Sequence, residues 1–292
     1  MYVFSTELRS IVDPFKEMFA EIQDHLLRTK PINVGEWQSQ AISTPMRELL
    51  GVICSYAIPS TASALARETG AHLPWAEDHF QERVGGVPLN PAPSEAWWPF
   101  ASKAAEGTNI AHKSENQAFS HTYPERMWAS RAHGDEMHSD YSTRAFFSGM
   151  EDVIAPYGLR FEYGDLEDLV KALINSPMTR QAFLPIWFPE DLKAVTLGKR
   201  VPCTLGYHFI IRHNKLHMTY FMRSTDLLRH FQDDIYMAGR LAQWVCEKFN
   251  DAQEVPALST GTLTFHTANM HIFDADVQAI NYRKTQGLVW AE

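Results

Sequence analysis

The stretch from Arg200 to Phe249 constrains the fold more than any other part of the chain. Leu205–Ile211 reads as a strand, Asn214-Lys215 as a turn and Leu216–Arg223 as the returning strand. Arg229–Phe249 then reads as a long helix, apolar over much of its circumference, which places it centrally. A hairpin of this kind brings Cys203 and Arg223 toward one end of a sheet. A thiol near a guanidinium has a reason to ionise, and the thiolate is the nucleophile.

Around this stretch, 292 residues that are 45% hydrophobic supply enough apolar surface for one large domain. No repeat, low-complexity tract or linker divides the chain, so residues 1–292 read as a single domain. Within it, 1–44 form an N-terminal helical extension, and 101–122, polar and without period, form an insertion or lid. No run approaches the ~18 apolar residues of a membrane span, and Met1–Ser10 has no apolar core of a signal peptide. Cys54, Cys203 and Cys246 are an odd, sparse set, which suggests free thiols in a reducing cytoplasm. A formal charge of −9 argues against a nucleic-acid polymer as partner, but not against a small anion gripped by a few arginines.

Hydrophobic period and breakers predict the remaining elements. Pro14–Leu27 and Trp75–Val84 read as helices, as do Thr143–Ile154 and Asp165–Ile174. Leu49–Ala57, Phe183–Trp187 and Leu263–Phe273 read as strands, and residues 28–44 and the Gly/Pro-rich segment 85–94 as loops.

The motif order Pro202-Cys203, strand, turn, strand, Arg223-Ser224-Thr225-Asp226, helix resembles the thymidylate synthase family. The family's Pro-Cys-His stands here as Pro202-Cys203-Thr204. Eight residues after Asp226, where ordinary members carry an Asn that reads the uracil edge, this chain has Asp234. The same exchange marks the phage-type deoxycytidylate hydroxymethylases, whose local pattern Phe231-x-x-Asp234 also resembles. The resemblance covers roughly residues 45–285. It implies an α/β (α+β) fold with a mixed sheet covered by helices, the sheet packing in a homodimer, and methylenetetrahydrofolate as one-carbon donor.

It also implies roles for particular residues. A lone cysteine is most often a buried structural thiol, and Cys54 and Cys246 read that way. Cys203 stands 31 residues before Asp234, the family's spacing, and becomes the nucleophile. Arg223 and Ser224 would bind the nucleotide phosphate, a task suited to a guanidinium fork and a hydroxyl. Arg180 resembles the family's arginine that reaches into the neighbouring subunit's site, although Gln181 replaces the second arginine and Thr179 a serine. Arg47 is a candidate for the N-terminal phosphate arginine, with a surface arginine at a strand start as the alternative.

Asp234 would select the base. A carboxylate accepts from the cytosine 4-amino group and can share a proton with N3, whereas it meets uracil O4 lone pair to lone pair. Adjacent Asp233 and Asp234 leave one acid for a helix cap, and spacing assigns Asp234 to the base. Glu77, or alternatively Glu82, would order water and move protons around the base. Tyr123 would assist proton removal from C5, and Asp226 would serve catalysis and folate binding. Trp97 or Trp98 would wall the folate. His271 would bind the sugar, with Phe273 replacing the tyrosine of the family's His-x-Tyr, a change that leaves CMP open beside dCMP. His133 and His138, with Asp135 and Glu136, are at most a weakly motivated metal cluster, and no metal is expected.

The activity implied is a cytidylate 5-hydroxymethylase of the cytoplasm of a bacterium or a phage-infected cell. The chain ends about twenty residues after His271, without an obvious counterpart of the family's closing tail, which favours water capture over methylation. A deoxycytidylate methyltransferase or thymidylate synthase proper is the alternative, and an idle nucleotide- or RNA-binding relative the alternative of another class.

Overall fold

A computed structural model describes residues 1–5, 14–37, 40–42, 44–99, 121–132, 163–253 and 257–277. The elements in chain order are β1 (Tyr2–Ser5), α1 (Pro14–Arg28), β2 (Glu36–Trp37), β3 (Gln40–Ala41) and β4 (Met46–Ala57). Next come α2 (Ala62–Thr69), α3 (Trp75–Val84), a 3₁₀ turn (Pro93–Trp97), α4 (Tyr123–Met127) and α5 (Ala129–Ala132). The carboxyl-terminal part holds α6 (Leu166–Asn175), β5 (Phe183–Pro185), α7 (Pro189–Thr196), β6 (Thr204–Arg212), β7 (Lys215–Asp226), α8 (Phe231–Asp251) and β8 (Ser259–Phe273).

Six strands form one mixed sheet in the order β1-β4-β8-β7-β6-β5, and β2 and β3 pair separately. The β7–β8 and β1–β4 pairs are parallel; β4–β8, β6–β7 and β5–β6 are antiparallel. The β6–β7 hairpin turns at His213 and Asn214, with φ of 51° and 56°. Two successive left-handed residues match the right-handed twist of the flanking strands, so the turn falls one residue before the expected Asn214-Lys215. At the other end of the hairpin the register shifts between Thr204 and Gly206. A bulge there bends the strand beside Cys203.

The central helix is α8, which buries Phe231, Ile235, Ala238, Leu241, Ala242 and Val245 among other residues. It packs on β7 and β8 and is flanked by α2, α3 and α6. A Cβ at Gly239 would stand 2.6 Å from Leu65 Cδ2, so the glycine permits the close approach of α2. Helix α1 turns Phe15, Met18, Ile22 and Leu26 inward at helical spacing. Phe15 meets Tyr56 of β4 edge-on, with ring centroids 5.4 Å apart.

The expected N-terminal helical extension also supplies a sheet edge, because Tyr2–Ser5 pairs with Val52–Ser55. The expected loop 28–44 contains the short β2–β3 pair. The expected helix 143–154, the His133–His138 cluster, the segment 284–292 and all of the expected insertion 101–122 but its last two residues lie outside the described residues.

Candidate active site

Cys203 sits half-buried just before β6, at the C-terminal end of the sheet's parallel pair, where β7 runs out at Asp226. Arg223 braces this loop: its Nε donates to the Pro202 carbonyl at 2.9 Å and its Nη2 to the Val201 carbonyl at 3.2 Å. The same Nη2 lies 3.6 Å from Cys203 Sγ, and the Arg223 amide donates to the Cys203 carbonyl at 2.9 Å. The hairpin therefore brings together the thiol and guanidinium expected to meet. Thr204, fully buried, links two phenols: its Oγ1 is 3.0 Å from Tyr123 Oη and 2.8 Å from Tyr220 Oη.

Two residues beyond Arg223 on β7, Thr225 Oγ1 donates to Asp234 Oδ2 at 2.9 Å. Burial pushes the Asp234 carboxyl up to about 7. The Thr225 bond and the charge of Arg83 pull it down, while Asp233 and Asp226 push it further up. The neighbouring Asp233 accepts from the His72 amide at 2.8 Å and contacts the His72 ring at 3.0 Å. It is therefore occupied at the helix start.

Ser224 and His271 meet on adjacent strands, Oγ to Nδ1 at 3.3 Å, and His271 Nδ1 lies 3.0 Å from Asn269 Oδ1. Burial drives the His271 imidazole down to about 4, so it is neutral at physiological pH. Its Nε2 is buried with no hydrogen-bond partner among the described residues. With Nδ1–H directed to Asn269, Nε2 is a lone-pair acceptor suited to a hydroxyl.

Asp226 Oδ1 accepts from the amides of Leu228 and Arg229 at 2.9 and 3.0 Å, closing the turn into α8. Its Oδ2 is buried and has no hydrogen-bond partner among the described residues, with Arg229 Nε 3.8 Å away. Burial raises this carboxyl to about 6 against the pull of Arg229. A buried acceptor without a donor fits the N–H-rich edge of a pterin. Beyond it, Trp98 lies flat on His230, centroids 4.6 Å apart and planes 6° apart, offering an aromatic wall. Trp97, by contrast, is 43% exposed.

Tyr123 enters from α4. Thr122 and Glu125 form a capping box at its start. Thr122 Oγ1 also donates to the Leu89 carbonyl at 2.6 Å, and Asn90 Nδ2 donates to Glu125 at 2.9 Å. The breaker-rich loop thus fixes the helix that presents Tyr123 to Thr204.

Other expected residues are engaged elsewhere. Glu77 gives both carboxylate oxygens to a fork with Arg240, each bond 2.9 Å, and accepts from Tyr236 at 2.7 Å. Burial alone would raise its carboxyl, but these partners hold it below the usual range. Its contacts thus tie it to the second and third turns of α8, which corrects the expectation that it faces the base. Glu82 accepts from the Ser94 amide at 2.8 Å and lies 3.5 Å from His79, whose ring meets Tyr123 edge-on. Arg47 pairs with Asp274 at 2.9 Å and donates to the Leu27 and Thr29 carbonyls, so its fork serves the α1 terminus rather than an open phosphate site. The Arg180 side chain is exposed. Phe273 is buried at 6.2 Å from His271 and carries the Arg229 guanidinium over its ring at 4.1 Å.

Four contributors were not expected from the sequence: Thr204 and Thr225, which position Tyr123 and Asp234, and Arg83 and His230. Only Arg83 left a trace there, as a charge in line with Ala76, His79 and Phe80 on the inward face of α3.

Residues 119–286 match the family described as thymidylate synthase. A protein of Methanosarcina mazei named "Putative thymidylate synthase" is 28% identical over 162 residues, 53% of this chain and 69% of its own length. A protein of the same name from Methanococcoides burtonii is 29% identical over 132 residues, 43% of this chain and 56% of its own. The thymidylate synthase of Bacillus subtilis subsp. natto is 24% identical over 105 residues, 36% of this chain and 34% of its own. The six-stranded mixed sheet with its covering helices is the architecture of this family, whose one-carbon donor is methylenetetrahydrofolate.

Proposed function

The chain belongs to the thymidylate synthase family, a family of folate-dependent one-carbon transferases, and from that premise we propose that it hydroxymethylates C5 of a cytosine nucleoside monophosphate. The observation that carries this reading is Asp234, a buried carboxyl raised to about 7 where the family pattern has an amide. Near neutrality such a group gives a proton to N3 and accepts from the 4-amino group, a pairing that uracil cannot complete. A buried mismatch at a hydrogen-bonding edge discriminates strongly, by about 10⁴-fold in favourable cases.

In the proposed reaction, Cys203 Sγ bonds to C6 as Asp234 protonates N3, and electron density collects at C5. When bound, methylenetetrahydrofolate supplies the one-carbon unit that becomes attached there. Tyr123, tied to Thr204 at 3.0 Å, assists removal of the C5 proton. The C5 methylene forms as tetrahydrofolate leaves, the two folate nitrogens taking up the C5 proton and the proton that water loses. Hydroxide from water adds to the methylene, N3 returns its proton to Asp234, the C6–Sγ bond breaks, and the Cys203 thiolate and a 5-hydroxymethylcytosine nucleotide result. Asp226 and Trp98 are assigned to the pterin, and His271 Nε2 to a sugar hydroxyl. Arg223, Ser224 and a partner subunit's copy of the exposed arginine at position 180 are assigned to the phosphate. The names of the relatives favour a second outcome, a methyl product.

The test is mass analysis of products from dCMP, CMP and dUMP with methylenetetrahydrofolate, while dihydrofolate is followed by absorbance. A cytidylate product heavier by CH₂O, without dihydrofolate, is expected. A 5-methyl product with dihydrofolate establishes the methyltransferase reading. Binding without turnover establishes an idle relative.

A further inference from the structure

Thr204 stands directly after Cys203, where the family pattern has a histidine, and it is fully buried. A buried hydroxyl needs partners, and this one finds two phenols from different elements. Tyr123 Oη of α4 lies 3.0 Å away and Tyr220 Oη of β7 2.8 Å away. Threonine has one hydroxyl proton, so it cannot donate to both phenols, and at least one of the two bonds is donated by a phenol. The three hydroxyls therefore form one chain in which the direction of each bond constrains the other. The two ends of the chain differ in rigidity. Tyr220 is 1% exposed, stacks on Tyr207 across the β6–β7 ladder with centroids 4.5 Å apart, and meets Phe265 edge-on at 5.4 Å. Tyr123 is half-buried on a helix of five residues. The Arg83 guanidinium covers its ring, Cζ 3.9 Å from the centroid, and His79 meets the ring edge-on. These two contacts fix the plane of the ring, and Thr204 holds its oxygen.

We propose that Thr204 and Tyr220 are positioning residues, a hydroxyl chain that anchors Tyr123 Oη to the rigid interior of the sheet and sets it for removal of the C5 proton. The proposal rests on the reading of Tyr123 as the group that assists that step. The chain keeps its own protons in the reaction and only fixes an oxygen. A phenol both donates and accepts, so one bond to Thr204 leaves Tyr123 Oη capacity for a ligand. Reacting groups must meet within a narrow range of distance and angle, and a misplacement of about 1 Å can cost about 10²-fold. Nucleotide binding is assigned to other residues, so loss of the chain slows one step within kcat and leaves KM in place.

The test combines kinetics on dCMP deuterated at C5 with ¹³C NMR of protein labelled at tyrosine Cζ, the Tyr123 resonance being identified by its loss in Tyr123→Phe. Thr204→Val keeps the shape and removes the hydroxyl. In that variant kcat falls by at least about tenfold while KM stays within about twofold. The deuterium isotope effect on kcat grows, because removal of the C5 proton has become slower, and the Tyr123 resonance moves. Thr204→Ser restores all three. Tyr220→Phe acts in the same direction on kcat and on the resonance, but adds nothing in a Thr204→Val background, where the chain is already cut. Where Thr204→Val does not fold, Tyr220→Phe decides alone. A lower kcat with an unchanged isotope effect overturns the proposal, as does full additivity of the two substitutions. If the wild-type protein turns over no cytidylate but the resonance moves, the proposed reaction fails and the hold of Thr204 on Tyr123 stands. If turnover is found and the resonance is unmoved in a folded variant, the role of the chain alone fails.

Discussion

Thr225 Oγ1 donates a 2.9 Å hydrogen bond to Asp234 Oδ2, joining the end of β7 to the first turn of α8. The bond occupies one lone pair of Oδ2 and favours the ionised form of Asp234, against burial that favours the neutral one. A buried acid near 7 is consequently a pH sensor for ligand binding. Cytidylate affinity is expected to be flat below pH 6 and to fall about tenfold per unit above 7 as the shared proton is lost. In Thr225→Val the carboxyl rises further, so the falling limb moves to higher pH. Calorimetric titration of dCMP from pH 5.5 to 9 reads both, and an unchanged limb in a folded Thr225→Val protein removes the bond from the account.

The same carboxyl makes a stability prediction with a fixed sign. Its folded value of about 7 stands above the ordinary 3.8, so the folded protein binds the extra proton between those pH values. The stability from that proton is fully present below the ordinary value and is lost as pH rises through 7. Asp234→Asn mimics the neutral acid and removes this loss. Its melting temperature relative to wild type is therefore expected to rise between pH 5 and pH 8, by an amount corresponding to a few kcal/mol. A difference independent of pH would show that Asp234 is ionised in the folded protein throughout.

Asp234→Asn also tests base choice. The amide satisfies the uracil edge with its oxygen and nitrogen and can no longer give a proton to cytosine N3. The ratio of kcat/KM for dCMP over dUMP is expected to fall by at least about 100-fold, from loss of one edge and gain of the other. Equal ratios in the two proteins would detach base selection from this position.

Glu77 and Glu82 separate a structural acid from one near the reacting groups. Both oxygens of Glu77 are held by Arg240, and Tyr236 adds a third bond. Glu77→Gln is expected to cost about 1 kcal/mol or less, as for a partly exposed ion pair, and to leave kcat within about threefold. Glu82 adjoins His79, which contacts Tyr123, so Glu82→Gln should lower kcat by at least about tenfold. Steady-state kinetics beside thermal melts distinguishes the two, and the reverse pattern would return Glu77 to the chemistry.

The parts of the fold visible in the sequence carried their own period. Helix α3 lies at the expected Trp75–Val84 because its start follows a proline and its end meets two glycines. The β6–β7 hairpin is visible because alternation flanks a turn. Strand β1 is not visible: four residues acquire their state from pairing with β4, some fifty positions away. Helices α2 and α7 are two turns each, too short for a period to stand out. In the site, Cys203, Arg223 and Asp234 follow from motif spacing, whereas the contacts of Thr204, Thr225 and Arg83 depend on elements brought together only by the sheet and α8. Glu77 and Glu82 lie on one helix, and only their partners show which way each points.

The arrangement around Cys203 separates binding from chemistry. Arg223 uses Nε and one terminal nitrogen on the loop carbonyls and the thiol, and its Nη1 has no protein partner among the described residues. That nitrogen is available to a phosphate whether or not a thiol is present. Cys203→Ser keeps the loop bonds, since both accept through main-chain oxygens, but replaces the nucleophile by a far weaker one. Turnover is expected to fall by at least about 10³-fold with dCMP affinity within about threefold of wild type. Arg223→Ala, by contrast, should weaken dCMP binding by at least about tenfold, through loss of a charge-assisted phosphate contact, and should also loosen the loop. Mass spectrometry of the denatured complex adds an independent readout: the wild-type protein trapped with 5-fluoro-dCMP carries the nucleotide on Cys203, and the serine variant carries none. A serine variant that turned over at the wild-type rate would remove Cys203 from the reaction and, with it, the covalent mechanism.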